Sequence, residues 1–142
     1  MKSISPLALF ALCAQRPEPI PFFGELGSVN PMFLLPAATS ARAEAIGSGW
    51  AGSLTMGAGQ FCTNPGIAVV VEGPEADTFV AAAKAGLEKV AAQTMLTDGI
   101  ASAYHDGVER MRSSNAVSSV LSTDSEGRQA NPNLFETTGA TW

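Results

Sequence analysis

The chain contains few of the residues from which metal sites, disulfide frameworks and nucleic-acid interfaces are built. Its 142 residues include two cysteines, Cys13 and Cys62, and one histidine, His105. Their positions match no zinc-ligand spacing and no disulfide framework, so we expect no bound metal. Eight basic residues stand against thirteen acidic ones, and the net charge of −5 argues against binding to nucleic acid or to an anionic membrane surface.

Long apolar runs are also missing, and the longest candidate lies near the amino terminus. Residues 7–14 form an apolar run of about eight residues, which is short for a signal peptide and far too short for a membrane span. We expect a helix over residues 6–15, ended by Pro17, with Cys13 buried in it as a small hydrophobe. A signal peptide is the less favoured interpretation, and we expect a cytoplasmic protein.

The residues that are present have the composition of a folded α/β domain. Hydrophobic residues make up 46% of the chain and charged residues 15%, which excludes a disordered chain. The apolar runs and turn residues predict strands over 20–25, 29–35, 67–72 and 117–121, helices over 39–56, 74–93 and 97–114, and an irregular tail from residue 131. This alternation predicts right-handed crossovers and a mostly parallel sheet, with strand 67–72 at its centre.

The predicted helix over 39–56 has two features of its own. Thr39 or Ser40 is expected to cap its amino-terminal end. Gly47, Gly49 and Gly52 are expected to form a small face against which another element packs closely.

Two glycine-bracketed segments carry the residues with chemical potential. One runs from Gly57 to Gly66 (GAGQFCTNPG) and places the thiol of Cys62 in a flexible turn. The other runs from Phe23 to Pro31 (FGELGSVNP) and places the carboxylate of Glu25 at the end of an apolar run. A carboxylate among apolar residues is costly to bury unless it is paired or functional. A thiol with a base nearby is the minimum equipment for covalent attack on a carbonyl. Taken alone, each residue is also compatible with a purely structural position. The tyrosine, histidine and aspartate at 104–106 and the arginines at 110 and 112 are expected to be surface residues.

These two segments, in this order, resemble the active-site signatures of NAD(P)-dependent aldehyde dehydrogenases. Their residues are most similar to those of the branch that oxidises α-ketoglutaric semialdehyde. The resemblance implies that residues 1–142 are part of a catalytic domain with three layers and a mostly parallel sheet. It implies that Cys62 attacks the aldehyde to form a thiohemiacetal and then a thioester, and that Glu25 activates the water that hydrolyses the thioester. It places Leu26 on the nicotinamide side and Phe61 in the substrate pocket. Ser28 and Val29 depart from the family pattern, which more often has Gly and Lys there.

The cofactor implied by the resemblance is NAD or NADP, but most of its binding surface is expected to lie outside these residues. The chain has no G-x-G-x-x-G motif that follows a strand and opens a helix. Two interpretations therefore remain open. The chain is an NAD(P)-dependent enzyme that oxidises an aldehyde, completed by a cofactor-binding partner, or it is a non-catalytic remnant or interaction fragment that cannot bind the nucleotide. In either case self-association is expected, because apolar strands would lack neighbours.

Overall fold

The computed structural model describes residues 6–24 and 27–141, which form an α/β arrangement. The four helices and six strands follow one another in the order α1 (Pro6–Ala14), β1 (Pro31–Leu34), α2 (Pro36–Thr55), β2 (Ile67–Val70), α3 (Pro74–Leu87), β3 (Gln93–Thr94), α4 (Asp98–Arg112), β4 (Ser118–Leu121), β5 (Gln129–Ala130) and β6 (Leu134–Glu136). A single 3₁₀ turn over Met56–Gly59 continues from the end of α2. In the described ranges no helix is both long enough and apolar enough to cross a membrane.

The strands pair as three separate ribbons of two strands each. Strands β1 and β2 are parallel, with Pro31 opposite Ile67 and Leu34 opposite Val70. The pairs β3–β5 and β4–β6 are antiparallel. The predicted α/β class is thus confirmed, whereas the predicted three-layer, mostly parallel sheet is not. Strand β2 has one partner among the described residues, so it is not the centre of a wider sheet there.

Helices α2 and α3 pack against one face of the β1–β2 ribbon and form the main core. Its buried members come from β1, α2 and α3, and they are Leu34, Ala43, Trp50, Phe79 and Ala83. The rings of Trp50 and Phe79 lie 5.6 Å apart between centroids. Because side chains alternate across a strand, only alternate residues of β1 and β2 reach this core.

The predicted small face of α2 is correct at one glycine and wrong at the other two. A Cβ atom on Gly47 would lie 2.5 Å from the backbone oxygen of Phe79, so α3 approaches α2 closely at this point. Gly49 and Gly52 have open space where a Cβ would be. Successive helical residues are rotated by about 100°, so these three glycines do not share one face.

Several predicted boundaries move for local reasons. Helix α2 begins at Pro36 rather than Thr39, because proline suits the first helical position, and no side chain caps its amino terminus. The Thr39 hydroxyl instead donates to the backbone oxygen of Pro36 at 3.0 Å inside the first turn. Helix α3 ends at Leu87 rather than near residue 93. The tail expected to be irregular contains β6.

Two expectations about burial are wrong. Helix α1 has the expected position but no buried residue, and Cys13 is only half-buried. The strand expected over 29–35 is buried only at Leu34, and its neighbour Phe33 is 67% exposed. Residues 20–24 form no strand, and the last residue of that predicted strand, Glu25, lies outside the described residues.

Candidate functional site

The turn that leads to Cys62 has a left-handed backbone. Gly57, Ala58 and Gly59 have φ angles of 58°, 57° and 71°, and Ala58 is the single described residue other than glycine with a positive φ. A left-handed conformation costs a residue with a Cβ about 1–2 kcal/mol, whereas glycine adopts it without that cost. The turn therefore depends on contacts with the surrounding structure.

Two glutamine side chains make those contacts. Gln93, on β3, accepts from the Ala58 N–H at 2.9 Å and donates to the backbone oxygen of Thr55 at 3.0 Å. Gln60, within the turn, donates to the backbone oxygen of Gly57 at 2.9 Å and accepts from the Leu96 N–H at 2.8 Å. Gln93 thus joins the end of α2 to the left-handed Ala58, and Gln60 joins the left-handed Gly57 to Leu96.

The segment after Gly27 holds the other side of the turn. The Ser28 hydroxyl donates to the backbone oxygen of Cys62 at 2.6 Å, and the Asn30 amide donates to the same oxygen at 2.7 Å. The Asn30 amide also reaches the backbone oxygen of Asn64 at 3.2 Å. The two regions singled out in the sequence therefore meet at Cys62. Ser28, a departure from the family pattern, makes one of the contacts.

The predicted base and the predicted nicotinamide contact, Glu25 and Leu26, lie outside the described residues. Their roles stay predictions. Sequence reasoning did not identify Ser28, Asn30 or Gln93 as partners of the turn. The only signal for them was their polarity within largely apolar surroundings, and polarity alone does not identify a hydrogen-bond partner.

The residues after Cys62 are anchored to the main core. The Trp50 indole N–H donates to the backbone oxygen of Pro65 at 2.8 Å. The Asn64 amide donates to the backbone oxygen of Leu54 at 2.7 Å. Asn64 and Pro65 follow Cys62, whereas Trp50 and Leu54 belong to α2, so the far end of the turn is fixed to this helix.

Cys62 is an exposed cysteine with a free thiol. Phe61 beside it is 54% exposed, and its ring lies against Gly57, where an added Cβ would come within 2.7 Å of the ring. An exposed thiol is accessible to a carbonyl compound from solvent. The predicted role of Phe61 in a substrate pocket stays a prediction.

The described residues do not fit a dinucleotide cradle. The spacing Gly47-Ser48-Gly49-Trp50-Ala51-Gly52 has the glycine pattern of such a motif but lies inside α2, away from its amino terminus. A pyrophosphate needs the free N–H groups of a helix amino terminus. The first turns of α3 and α4 carry acidic residues, Glu75 with Asp77 and Asp98, which repel a phosphate. The described residues therefore supply no pyrophosphate site.

The other polar cluster, between α4 and the loop before β5, is engaged in structural contacts. Arg112, expected to be a surface residue, is half-buried, and its guanidinium donates to Asp124 at 2.8 Å and to the backbone oxygen of Thr123 at 2.9 Å. The half-buried His105 side chain is hydrogen-bonded through Nε2 to the backbone oxygen of Gly127 at 3.0 Å. Across the described part of the chain, no three His, Cys, Asp or Glu residues cluster as metal ligands would.

Comparison with known proteins identifies relatives of this chain. No protein-family model matches it. It is 48% identical over 101 residues to α-ketoglutaric semialdehyde dehydrogenase 2 of Azospirillum brasilense, an alignment that covers 71% of this chain and 19% of that protein. It is 36% identical over 132 residues to α-ketoglutaric semialdehyde dehydrogenase of Acinetobacter baylyi (strain ATCC 33305 / BD413 / ADP1), covering 92% of this chain and 25% of that protein.

The chain thus spans 19% and 25% of the length of these two curated relatives. The resemblance stated from the two sequence segments is confirmed by these matches. The chain belongs to the aldehyde dehydrogenase family, as a segment homologous to part of the longer α-ketoglutaric semialdehyde dehydrogenases.

Proposed function

We propose that this chain carries the cysteine nucleophile of an enzyme that oxidises an aldehyde to a carboxylic acid with NAD or NADP. The names of the relatives support α-ketoglutaric semialdehyde, or an aldehyde like it, as the substrate. The observation that carries the proposal is the Cys62 turn itself. An exposed thiol follows a left-handed turn, and the chain holds that turn from both sides.

The chemistry proposed for these residues is covalent. The Cys62 sulfur attacks the carbonyl carbon and forms a carbon–sulfur bond, and the carbonyl oxygen takes the negative charge. The backbone N–H of Cys62 adjoins the sulfur and is the proposed donor to that oxygen. The nucleotide, when bound, would accept the hydride that leaves this carbon, which gives the thioester. Water then adds to the acyl carbon and the thiolate leaves. Glu25 takes the proton from that water.

The bound nucleotide would supply the hydride acceptor, with Leu26 on its nicotinamide side. Because the described residues offer no pyrophosphate cradle, we expect the 142-residue chain alone to form no NADH or NADPH from an aldehyde. Turnover would then need a complementing cofactor-binding domain.

A second candidate function is a non-catalytic interaction fragment. The observation that favours it is the outer face of the β1–β2 ribbon, where Phe33, Val69 and Val71 are exposed. Exposed apolar patches mark surfaces that bind other proteins or a second copy of the same chain.

Hydrolysis of an activated ester separates the two functions, because it needs the thiol, the oxyanion donor and the base but no nucleotide. We expect p-nitrophenyl acetate hydrolysis to be lost in Cys62→Ser and retained in the matched variant Cys13→Ser. In Glu25→Gln the acyl-enzyme should accumulate, because general-base catalysis contributes about 100-fold or more to such a step. Equal turnover in the wild-type chain and Cys62→Ser would contradict the catalytic function and favour the interaction fragment.

A further inference from the structure

The residue that holds the left-handed turn comes from a strand more than thirty residues further along the chain. We propose that Gln93 is a positioning residue for Cys62, and that it acts by fixing the backbone from Thr55 to Gln60. This inference rests on the proposed nucleophilic role of Cys62.

The side-chain amide of Gln93 makes hydrogen bonds that a further turn of α2 would otherwise make. The last carbonyls of a helix have no partner within the helix, and Thr55 ends α2. The Gln93 Nε2 group donates to this carbonyl, and its Oε1 accepts from the Ala58 N–H three residues later. One half-buried amide therefore satisfies both an acceptor and a donor where the backbone changes from a right-handed to a left-handed conformation.

Strand β3 is itself fixed, so it can serve as a support. Gln93 pairs with Ala130 of β5, and the Met95 N–H donates to the backbone oxygen of Arg128 at 2.8 Å. The adjoining Leu96 N–H donates to Gln60 at 2.8 Å. The segment from Gln93 to Leu96 thus holds the turn at its middle and at its end.

The consequence for chemistry lies in the Cys62 N–H, which follows Gln60 by two residues. Attack on an ester places negative charge on an oxygen, and this charge needs a donor at a fixed position. Alkylation by iodoacetamide displaces iodide and develops no such oxyanion. A turn that has lost its support should therefore slow acylation of Cys62 far more than its alkylation.

The test uses the whole chain with two substitutions at Gln93 and one control. Gln93→Met keeps the length of the side chain and removes both hydrogen bonds, and Gln93→Glu keeps the acceptor for the Ala58 N–H. The control, Gln129→Met, is the same substitution on the partner strand β5, and it removes an exposed hydrogen bond from Gln129 to Thr94. The measurements are the rates of acylation and alkylation of Cys62 and the amide hydrogen exchange of Ala58.

In Gln93→Met we expect acylation of Cys62 to fall about tenfold and exchange at Ala58 to rise about tenfold, the scale of one lost hydrogen bond. Alkylation of Cys62 should stay within about twofold of the wild-type rate. Gln93→Glu should keep much of the protection at Ala58, and Gln129→Met should leave all three rates unchanged.

Failure of the positioning role of Gln93 and failure of the proposed function of Cys62 give different results. If Gln93→Met leaves Ala58 exchange and Cys62 acylation unchanged, or slows acylation and alkylation alike, the positioning role is wrong. If the wild-type Cys62 is acylated no faster than Cys13, the proposed function is wrong, whatever the exchange at Ala58 shows.

Discussion

Ala58 carries a backbone cost that its two glycine neighbours do not. Its φ of 57° lies in the left-handed region, between Gly57 and Gly59 with the same sign of φ. Glycine at this position would remove the contact between the Cβ and the following carbonyl. The chain therefore has an avoidable strain two residues before Gln60.

We expect Ala58→Gly to raise the free energy of unfolding by about 0.5–1 kcal/mol, since the relief of strain exceeds the entropy that glycine adds to the unfolded chain. Ala81→Gly is the matched control, because Ala81 is exposed within α3 and has a helical backbone. That control should lower the free energy of unfolding by about 1 kcal/mol. Urea denaturation measures both, and a loss of stability in Ala58→Gly would show that Ala58 is not strained.

At the scale of residues, the sequence indicated Cys62 as the candidate nucleophile but not which residues surround it. The glycine-rich motif singled out Cys62, and the thiol is indeed exposed in a turn. Its supports, Asn30 and Gln93, are 32 and 35 residues from the atoms they bond. A local pattern carries no information about such distant partners. Cys13 was expected to be buried because apolar runs usually are, yet α1 packs on nothing that buries it.

The approach of α2 to α3 is set by small residues on both helices. Gly47 faces the backbone oxygen of Phe79, and a Cβ on Gly86 would lie 2.8 Å from the Cβ of Ala51. Larger residues at these two positions would push the helices apart and open the core around Trp50 and Phe79.

We expect Gly47→Ala to lower the free energy of unfolding by about 1–3 kcal/mol, because its Cβ meets backbone that cannot move without separating the helices. The matched control is Gly49→Ala, in the same helix with open space around the new Cβ. It should raise the free energy of unfolding by about 0.5–1 kcal/mol, because alanine favours a helix interior more than glycine does. Thermal or urea unfolding of both variants decides the matter, and a stabilised Gly47→Ala would contradict the close packing.

Among the helices and strands, the sequence predicted those with a clear hydrophobic periodicity and missed those without one. The apolar run at 67–72 and the helical spacing at 74–87 are long enough to signal β2 and α3. Strands β3 and β5 have two residues each, and a period cannot be seen in two residues. They form because Arg128 and Met95 bring their segments together, which is a tertiary contact.

In the part of the chain that the structure describes, one face of the β1–β2 ribbon is exposed. The inner face, with Met32 and Val70, packs on α2 and α3, while Phe33 and Val69 point the other way as cross-strand partners. The ribbon's outer face also includes Leu35 and Val71, both exposed. Parallel strands are usually buried on both faces.

We therefore expect the isolated chain to self-associate through this face and to bind a hydrophobic dye. The double substitution Phe33→Thr with Val69→Thr should reduce both the mass measured by light scattering and the dye fluorescence. The matched control is Leu96→Thr, since Leu96 is 72% exposed but belongs to neither β1 nor β2. A wild-type chain that stays monodisperse and monomeric at high concentration without binding the dye would contradict this expectation.

At the scale of the molecule, the sequence predicted the fold class and the family but not the arrangement of the sheet. Alternating strands and helices suggested one parallel sheet, and only β1 and β2 pair in that way among the described residues. Hydrophobic runs show that strands need cover. They do not show which strands are neighbours, because that depends on contacts across the whole chain.

The proposed function requires Cys62 to be a positioned nucleophile, so the covalent step at this thiol decides whether the proposal is correct. The measurement is mass-spectrometric detection of acetyl groups on each cysteine over time, after the chain is mixed with p-nitrophenyl acetate. We expect Cys62 to be acetylated at least about tenfold faster than Cys13, because an oxyanion donor assists only one of the two thiols. Equal acetylation of Cys62 and Cys13 would contradict it.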